Sequence, residues 1–194
     1  MVDRSQRGKP LPAFTLSDPA GKTLVLPEQT GKPLLINLWA TWCAPCVAEL
    51  PTLEALAAKG QVRVLTVSQD MSDPAKVTQF LAERGGPSLE PWLDPENDLS
   101  FHYGSGTLPT TIYYDAQGRE VWRFVGEQDW AGEDAAKLLA ETAGYPPSPS
   151  SLLPQSLGPG RTRERKPWPA SRFAPPPARL ARKPCLPGLP IRST

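Results

Sequence analysis

Among the features of this 194-residue sequence, the segment at 34–39 most strongly restricts which folds the chain can adopt. All of its residues are apolar except Asn37, and apolar and polar positions do not alternate along it. A strand with this pattern is covered on both faces, which is typical of a parallel sheet between layers of helices. A second buried strand is predicted at 62–67, and between the two lies a helix-like segment at 43–59, rich in Ala, Leu and Glu. The sequence therefore predicts an α/β protein with a strand–helix–strand crossover.

The remaining elements continue this alternation. They are a hairpin formed by strands at 13–16 and 23–26, helices at 74–84, 97–103 and 130–142, and a second hairpin formed by strands at 110–114 and 120–125. Strands that are separated by helices pair in parallel, and the closing hairpin adds antiparallel strands. We expect a mixed central sheet flanked by helices on both faces, with an N-terminal β-hairpin.

Composition divides the chain near residue 145. Of the 25 prolines, 12 lie in residues 1–145 and 13 lie in the last 49 residues. The first part has 12 Lys and Arg against 19 Asp and Glu, a net charge of −7, whereas the second has 9 against 1, a net charge of +8. We predict a flexible N-terminus at 1–9, one domain at 10–145 and a disordered Pro/Arg-rich tail at 146–194. For the tail, a basic docking arm, an inert extension and translation in a shifted frame remain open.

Several classes of protein are disfavoured by the sequence. No apolar run approaches the roughly 20 residues of a membrane-spanning helix, so none is predicted. The first residues, MVDRSQRGKPLPAF, contain no apolar core of a signal peptide, so the chain as written is expected to lack an export signal. An acidic domain in which basic and aromatic residues are not interleaved gives no reason to expect nucleic acid as a partner.

Two of the three cysteines, Cys43 and Cys46, form a tight pair where the first buried strand leads into its helix. Cys43 is expected at the helix N-terminus, where unpaired N–H groups and the helix dipole lower a thiol pKa and favour a nucleophilic thiolate. Cys46 lies one turn later, with its Cα about 5–6 Å from that of Cys43, a separation that allows a disulfide. We predict an activated, exposed Cys43 and an inner Cys46, with redox chemistry as their function.

Other interpretations of the pair are weaker. A zinc site would need two more ligands, and only Cys185, an incidental thiol of the tail, and His102 remain. A structural disulfide would close a two-residue loop and restrain the unfolded chain very little. An inert buried pair is disfavoured by Pro45 and by the helix start. We expect His102 to be a packed or surface residue and the tryptophans at 39, 92, 122 and 130 to be core residues, and we expect no metal site.

The stretch Trp42-Cys-Ala-Pro-Cys46 resembles the active site of the thioredoxin superfamily. Over about residues 10–143 the surroundings resemble its TlpA/ResA-type thiol–disulfide oxidoreductases. Four features carry the resemblance. Pro51 lies where the family kinks this helix, and Glu49 lies where the branch has a glutamate. Thr107-Leu-Pro-Thr-Thr111 matches the family's cis-proline loop, and Asn37 occupies the position where cytosolic thioredoxins carry an aspartate. The resemblance implies a thioredoxin-like fold.

The resemblance also implies roles for individual residues. Glu49 would take the proton of Cys46, which precedes it by one turn on the same helix face. Leu108 and Pro109 would form a cis peptide bond beside the disulfide, leaving the Leu108 backbone free to pair with an extended substrate. Trp42 would shield the site.

The function that we predict is reduction of protein disulfides through a dithiol–disulfide cycle. Ala44-Pro45 places no cation between the cysteines, which favours the reductive direction. The expected partners are a disulfide-bearing protein substrate and an upstream thiol protein that donates electrons; no organic cofactor is expected. The resemblance implies the periplasm or cell envelope as the compartment.

Two other classes stay open as alternatives. A copper-binding maturation protein could hold Cu(I) through Cys43 and Cys46, because soft thiolates suit that ion. A peroxiredoxin is less favoured, because Ala40 and Ile36 occupy the positions where that pattern requires threonine and proline before its reactive cysteine.

Overall fold

The structure is a computed structural model that describes residues 1–71 and 73–142. The predicted tail at 146–194, with Cys185, and the predicted boundary at residue 145 lie outside the described residues. Both stay predictions. Within the described ranges, no helix is long and apolar enough to cross a membrane.

The described residues form eight strands and four α-helices. The strands are β1 (Val2–Asp3), β2 (Thr15–Ser17), β3 (Thr23–Val25), β4 (Leu34–Trp39), β5 (Arg63–Ser68), β6 (Pro91–Leu93), β7 (Thr110–Tyr114) and β8 (Glu120–Val125). The helices are α1 (Ala44–Ala58), α2 (Pro74–Arg84), α3 (Asp98–Tyr103) and α4 (Glu133–Leu139), and a short 3₁₀ turn spans Leu26–Glu28.

All eight strands belong to one mixed sheet, in the order β1-β8-β7-β4-β5-β6-β2-β3. β4 pairs in parallel with β5, and β5 pairs in parallel with β6. β4 also pairs antiparallel with β7, and β7 with β8, so β4 lies inside the sheet. This position explains why every residue of β4 is buried and why its sequence does not alternate.

The core has one layer on each face of the sheet. Leu35 and Trp39 of β4 pack in the layer that contains residues of α1, α2 and α4. Leu34, Ile36 and Leu38 pack in the opposite layer, with residues of α3 and the N-terminal hairpin. The predicted class, a mixed sheet covered on both faces, is confirmed. Because side chains alternate along a strand, Asn37 points to the same face as Leu35 and Trp39, toward α1.

Several predicted bounds differ from the structure. α4 covers Glu133–Leu139 rather than 130–142, because Trp130 stacks on Trp122 and Gly132 precedes the helix as its N-cap. The short strands β1 and β6 were not predicted, since two or three residues carry no periodic pattern. α1 continues through Pro51 as one helix.

The N-terminal segment also differs from the expectation of a flexible end at 1–9. β1 pairs antiparallel with β8, and the N-terminal ammonium group donates to the carbonyl oxygen of Val125 at 2.9 Å. Arg4 and Arg7 both form ion pairs with Glu141, the residue that follows α4 by two positions. These contacts join the start of the chain to the sheet edge and to the end of the last helix.

Candidate active site

Cys43 stands between the end of β4 and the first turn of α1. It is the N-cap of α1, with an extended backbone conformation, and its Sγ accepts a hydrogen bond from the backbone N–H of Cys46 at 3.3 Å. The two cysteines form a disulfide with their Cα atoms 5.3 Å apart, so the structure holds the oxidised form. A negative charge on Cys43 after reduction would lie where the helix N-terminus stabilises anions.

The two sulfur-bearing residues differ in accessibility. Cys43 keeps 6% of its surface exposed, whereas Cys46 has no exposed surface. Cys43 is thus less exposed than predicted, because in the oxidised form it is bonded to Cys46 and packs in the core layer beneath. Trp42, in contrast, is 71% exposed and is not a core residue. Of the two cysteines, Cys43 is the one with exposed surface.

Glu49 lies one turn beyond Cys46 on the buried side of α1, with only 1% of its surface exposed. Its Oε1 accepts from Asn37 Nδ2 at 2.6 Å. Its Oε2 accepts from the backbone N–H of Gln128 and from Trp130 Nε1, both at 3.2 Å. No hydrogen bond joins Glu49 to Cys46 among the described residues, so the carboxyl group is positioned by the sheet and by the segment before α4.

The environment of Glu49 changes its acidity. Burial raises the pKa of the Glu49 carboxyl group from 4.5 to about 7. Its three hydrogen bonds act in the opposite direction, and the one from Asn37 lowers the pKa most. The nearby negative charge of Glu127 also raises this pKa. A carboxyl group with this pKa exchanges a proton near neutral pH, which suits a general base or acid.

The loop before β7 lies beside the disulfide, because residues 105–108 and Cys43 line the same cavity. The Leu108–Pro109 peptide bond is cis, as predicted. The loop is fixed by Thr110, whose hydroxyl donates to the Thr107 carbonyl oxygen at 2.6 Å, and by the N–H of Gly126, which donates to the Pro109 carbonyl oxygen at 3.0 Å. Within the part of the chain that the structure describes, the backbone N–H and C=O of Leu108 have no hydrogen-bond partner.

Asp70 supports the loop that carries the cysteines, and it is not among the predicted site residues. Its carboxylate accepts from the backbone N–H of Thr41 at 2.9 Å and from the Thr41 hydroxyl at 2.6 Å. It also accepts from the Ser68 hydroxyl at 2.7 Å. The signal for Asp70 is topological: β4 and β5 are parallel neighbours, so the residues that follow them meet at one edge of the sheet.

The four tryptophans are core residues, and His102 is a surface residue. The tryptophans predicted as core residues are all buried. His102 is exposed and makes edge-on ring contacts with Phe14 and Tyr103. In residues 1–71 and 73–142 there is no group of three or more His, Cys, Asp or Glu side chains that could hold a metal ion.

Comparisons with known proteins agree with this geometry. The sequence model of the Redoxin family matches residues 6–139. The chain is 39% identical over 137 residues to the thiol:disulfide interchange protein DsbE of Pseudomonas fluorescens biotype C, covering 69% of this chain and 76% of that protein. It is 33% identical over 129 residues to the thiol-disulfide oxidoreductase ResA of Bacillus thuringiensis (strain Al Hakam), covering 65% and 73% respectively.

Solved structures are similar over the same region. A Chlorobium tepidum protein assigned as a thiol:disulfide interchange protein DsbE superposes with a TM-score of 0.61 at 25% identity, covering 71% of this chain and 98% of that chain. The exposed lipoprotein thioredoxin of Streptococcus pneumoniae strain TIGR4 superposes with a TM-score of 0.56 at 27% identity, covering 64% and 96% respectively. With its Cys43–Cys46 disulfide at the start of α1, the chain belongs to the Redoxin family and is a thiol–disulfide oxidoreductase of thioredoxin-like fold.

Proposed function

We propose that the chain reduces disulfides in protein substrates, with Cys43 as the attacking and Cys46 as the resolving cysteine. The observation that carries this assignment is the difference between the two sulfurs. Cys43 lies at the helix N-terminus and reaches the surface, whereas Cys46 is fully buried beneath it. A thiolate at Cys43 is stabilised by the helix and can meet a substrate, and Cys46 is reached only from Cys43.

The cycle moves two electrons and two protons to the substrate. The Cys43 thiolate attacks one sulfur of the substrate disulfide; that bond breaks, a mixed disulfide forms, and the departing substrate thiolate takes up a proton. The Cys46 thiolate then attacks the Cys43 sulfur, the mixed disulfide breaks, and the second substrate thiolate leaves and is protonated. The product is the Cys43–Cys46 disulfide, which an upstream thiol protein must reduce before the next cycle.

Glu49 is proposed to take the proton of Cys46 before the second attack. Its support is a pKa of about 7, its burial, and its place one turn after Cys46 on α1. Asn37, which donates a hydrogen bond to Glu49, cannot ionise and therefore cannot accept the proton. Glu49 follows Cys46 by one turn of α1 and is the titratable group that can do so.

Three residues are proposed to contact the substrate. Leu108 offers its unpaired backbone N–H and C=O, which an extended chain can meet as an added strand. Pro109 removes a backbone donor from the edge of the site, and Trp42 offers exposed apolar area beside Cys43. The alanine and proline between the cysteines provide no cation for the Cys43 thiolate, which supports the reductive direction.

The experiment that tests the cysteine roles is substrate trapping. Cys46→Ser should stop the cycle at the mixed disulfide, and Cys43→Ser should trap nothing, because its remaining active-site thiol is buried. Cys185→Ser is added to both variants and also serves alone as the control, so that a disulfide to Cys185 is not mistaken for trapping. Non-reducing gels after expression in the native host, with mass spectrometry of the adducts, give the readout. Equal trapping by the two variants, or trapping by neither, contradicts the assignment.

A further inference from the structure

A groove of about 620 Å³ opens beside the disulfide, and we call it the docking groove. Its walls come from residues 42–45 around the cysteine pair, Gln69 directly after β5, Asn97, Ser100 and Phe101 at α3, and residues 105–108 before the cis-proline. None of the side chains that line it in the described part of the chain carries a formal charge. A peptide whose cysteine reaches Cys43 would therefore lay its neighbouring residues in an uncharged channel.

Two aromatic side chains of the docking groove are unusually exposed. Trp42 is 71% exposed and Phe101 is 78% exposed, and both line this groove. Solvent-exposed aromatic rings that share one concave surface are typical of interaction sites rather than of an ordinary monomer surface. Aromatic side chains supply large contact areas and often dominate the binding energy of an interface. The two rings favour an apolar side chain of the substrate over a polar one.

Gln69 adds a polar feature to the docking groove. It is 6% exposed, and its Nε2 is buried with no hydrogen-bond partner among the described residues. Its backbone is fixed, because its N–H donates to the carbonyl oxygen of Trp39 at 2.9 Å. Buried amide groups are hydrogen-bonded in the great majority of structures, so an unpaired donor at a groove wall requires explanation. A carbonyl oxygen of a peptide laid in the groove is the acceptor that this donor lacks.

We propose that the docking groove selects the substrate sequence around the attacked cysteine. An apolar side chain within two residues of the substrate cysteine packs against Trp42 and Phe101, and a main-chain carbonyl of the substrate accepts a hydrogen bond from Gln69. Charged side chains at those positions are disfavoured relative to apolar ones, because the groove offers them no opposite charge while part of their water is removed. This inference rests on the proposed reduction of protein disulfides and adds the substrate class.

The test uses peptides of one length that carry a single cysteine in a mixed disulfide with 2-nitro-5-thiobenzoate, whose release is coloured. The two residues on each side of the cysteine are set to leucine, aspartate or lysine in three matched peptides. Uncatalysed rates with dithiothreitol correct for differences in intrinsic reactivity. For the wild-type protein we expect kcat/KM at least tenfold higher for the leucine peptide than for the charged ones, expressed mainly in KM.

The variants assign that preference to residues. Phe101→Ser should reduce the preference for leucine to less than threefold, and Gln69→Ala should raise KM about fivefold for all three peptides. His102→Ser is the matched control, since His102 is an exposed neighbour on α3 that does not line the docking groove. Thermal melting of the oxidised proteins reports that all variants are folded. Turnover of hydroxyethyl disulfide, which has no peptide chain, should be unchanged in the His102→Ser control.

Two results would overturn the inference. One is equal kcat/KM for the leucine and charged peptides in the wild-type protein; the other is an unchanged preference in Phe101→Ser. Loss of turnover with every disulfide would instead contradict the proposed function. In that case, binding of the same peptides with serine in place of cysteine to the oxidised protein, measured by calorimetry, still tests the docking groove. Tighter binding of the leucine peptide supports it, and equal binding overturns it.

Discussion

Glu49 is a carboxyl group in an environment that disfavours its charge. The carboxyl accepts three hydrogen bonds, yet burial outweighs them and raises its pKa to about 7. Asn37 fits both protonation states, because its Oδ1 is buried and has no partner among the described residues. Rotation of the Asn37 amide by a half-turn brings that oxygen toward Glu49 Oε1, where it can accept the proton of the neutral acid. The pair can therefore accommodate gain and loss of a proton without moving the backbone.

The stability of the fold should report this pKa. Because the folded-state pKa lies above the unfolded value, the folded protein keeps the proton of Glu49 between pH 4.5 and about 7 while the unfolded chain has released it. The contribution of Glu49 to the free energy of unfolding is fully present below about pH 4.5 and is lost as the pH rises to about 7. The change is about 3 kcal/mol. Glu49→Gln removes the change. Denaturant unfolding of the oxidised proteins should therefore show that the free energy of unfolding of Glu49→Gln, relative to that of the wild type, rises by about 3 kcal/mol between pH 4.5 and 8. The same pH dependence in both proteins would contradict the raised pKa of Glu49.

The same substitution should separate the two chemical steps. Attack by Cys43 does not use Glu49, so in Glu49→Gln the mixed disulfide should form at the wild-type rate. Resolution by Cys46 should slow by at least tenfold near pH 7, because a general base typically contributes 10²–10⁴-fold. Stopped-flow measurement of both steps from pH 5 to 9 provides the readout. If the two proteins have superimposable pH profiles for resolution, Glu49 has no role in proton transfer.

The parallel pairing of β4 and β5 determines how the cysteine loop is held. The two strands end side by side, with Trp39 opposite Ser68. The next residues of each chain segment therefore meet, and Asp70 after β5 accepts the N–H and the hydroxyl of Thr41 after β4. The loop leading to Cys43 is fixed by a side chain from another element rather than by its own sequence.

Asp70→Ala should loosen this loop. It leaves the N–H and hydroxyl of Thr41 and the hydroxyl of Ser68 without their acceptor, which costs about 1–3 kcal/mol. Hydrogen exchange of the amides at 41–43 should accelerate at least tenfold. Thr41→Val is the graded control, since it removes only the hydroxyl bond and keeps the acceptor for the backbone N–H. Equal exchange rates in Asp70→Ala and wild type would mean that other contacts hold the loop.

The elements were predictable where the pattern is local. β4, α2, β7 and β8 have the predicted bounds, because burial on both faces, helix caps and turn residues are all encoded within a few positions. The disulfide and the burial order of its cysteines follow from the same local signals. The partners of Glu49 do not: Gln128 and Trp130 lie about 80 residues away along the chain. Contacts of this kind depend on which helix packs against which strand, and a single sequence does not encode that in its periodicity.

At the scale of the whole molecule, α4 and the N-terminal segment stabilise each other and the sheet. Trp122 Nε1 donates to the Leu138 carbonyl oxygen at 3.0 Å, and the Tyr113 hydroxyl donates to the Leu139 carbonyl oxygen at 2.8 Å. Both aromatic residues are buried, so these carbonyl groups satisfy donors that have no access to water. Glu141 then binds Arg4 and Arg7, which connects both ends of the described region.

These contacts define where the chain can be shortened. The strands and helices of the described residues, together with every proposed site residue, lie before residue 142, and the Redoxin match ends at 139. A protein ending at residue 145 should therefore keep the rate of disulfide reduction and melt within about 2 °C of the full chain, since the Pro/Arg-rich sequence at 146–194 is not expected to add to a packed core. The matched control ends at residue 136. It removes the acceptors of Trp122 and Tyr113, so it should lose at least about 2 kcal/mol. A large loss of melting temperature or activity on cutting at 145 would show that residues 146–194 contribute to the folded domain.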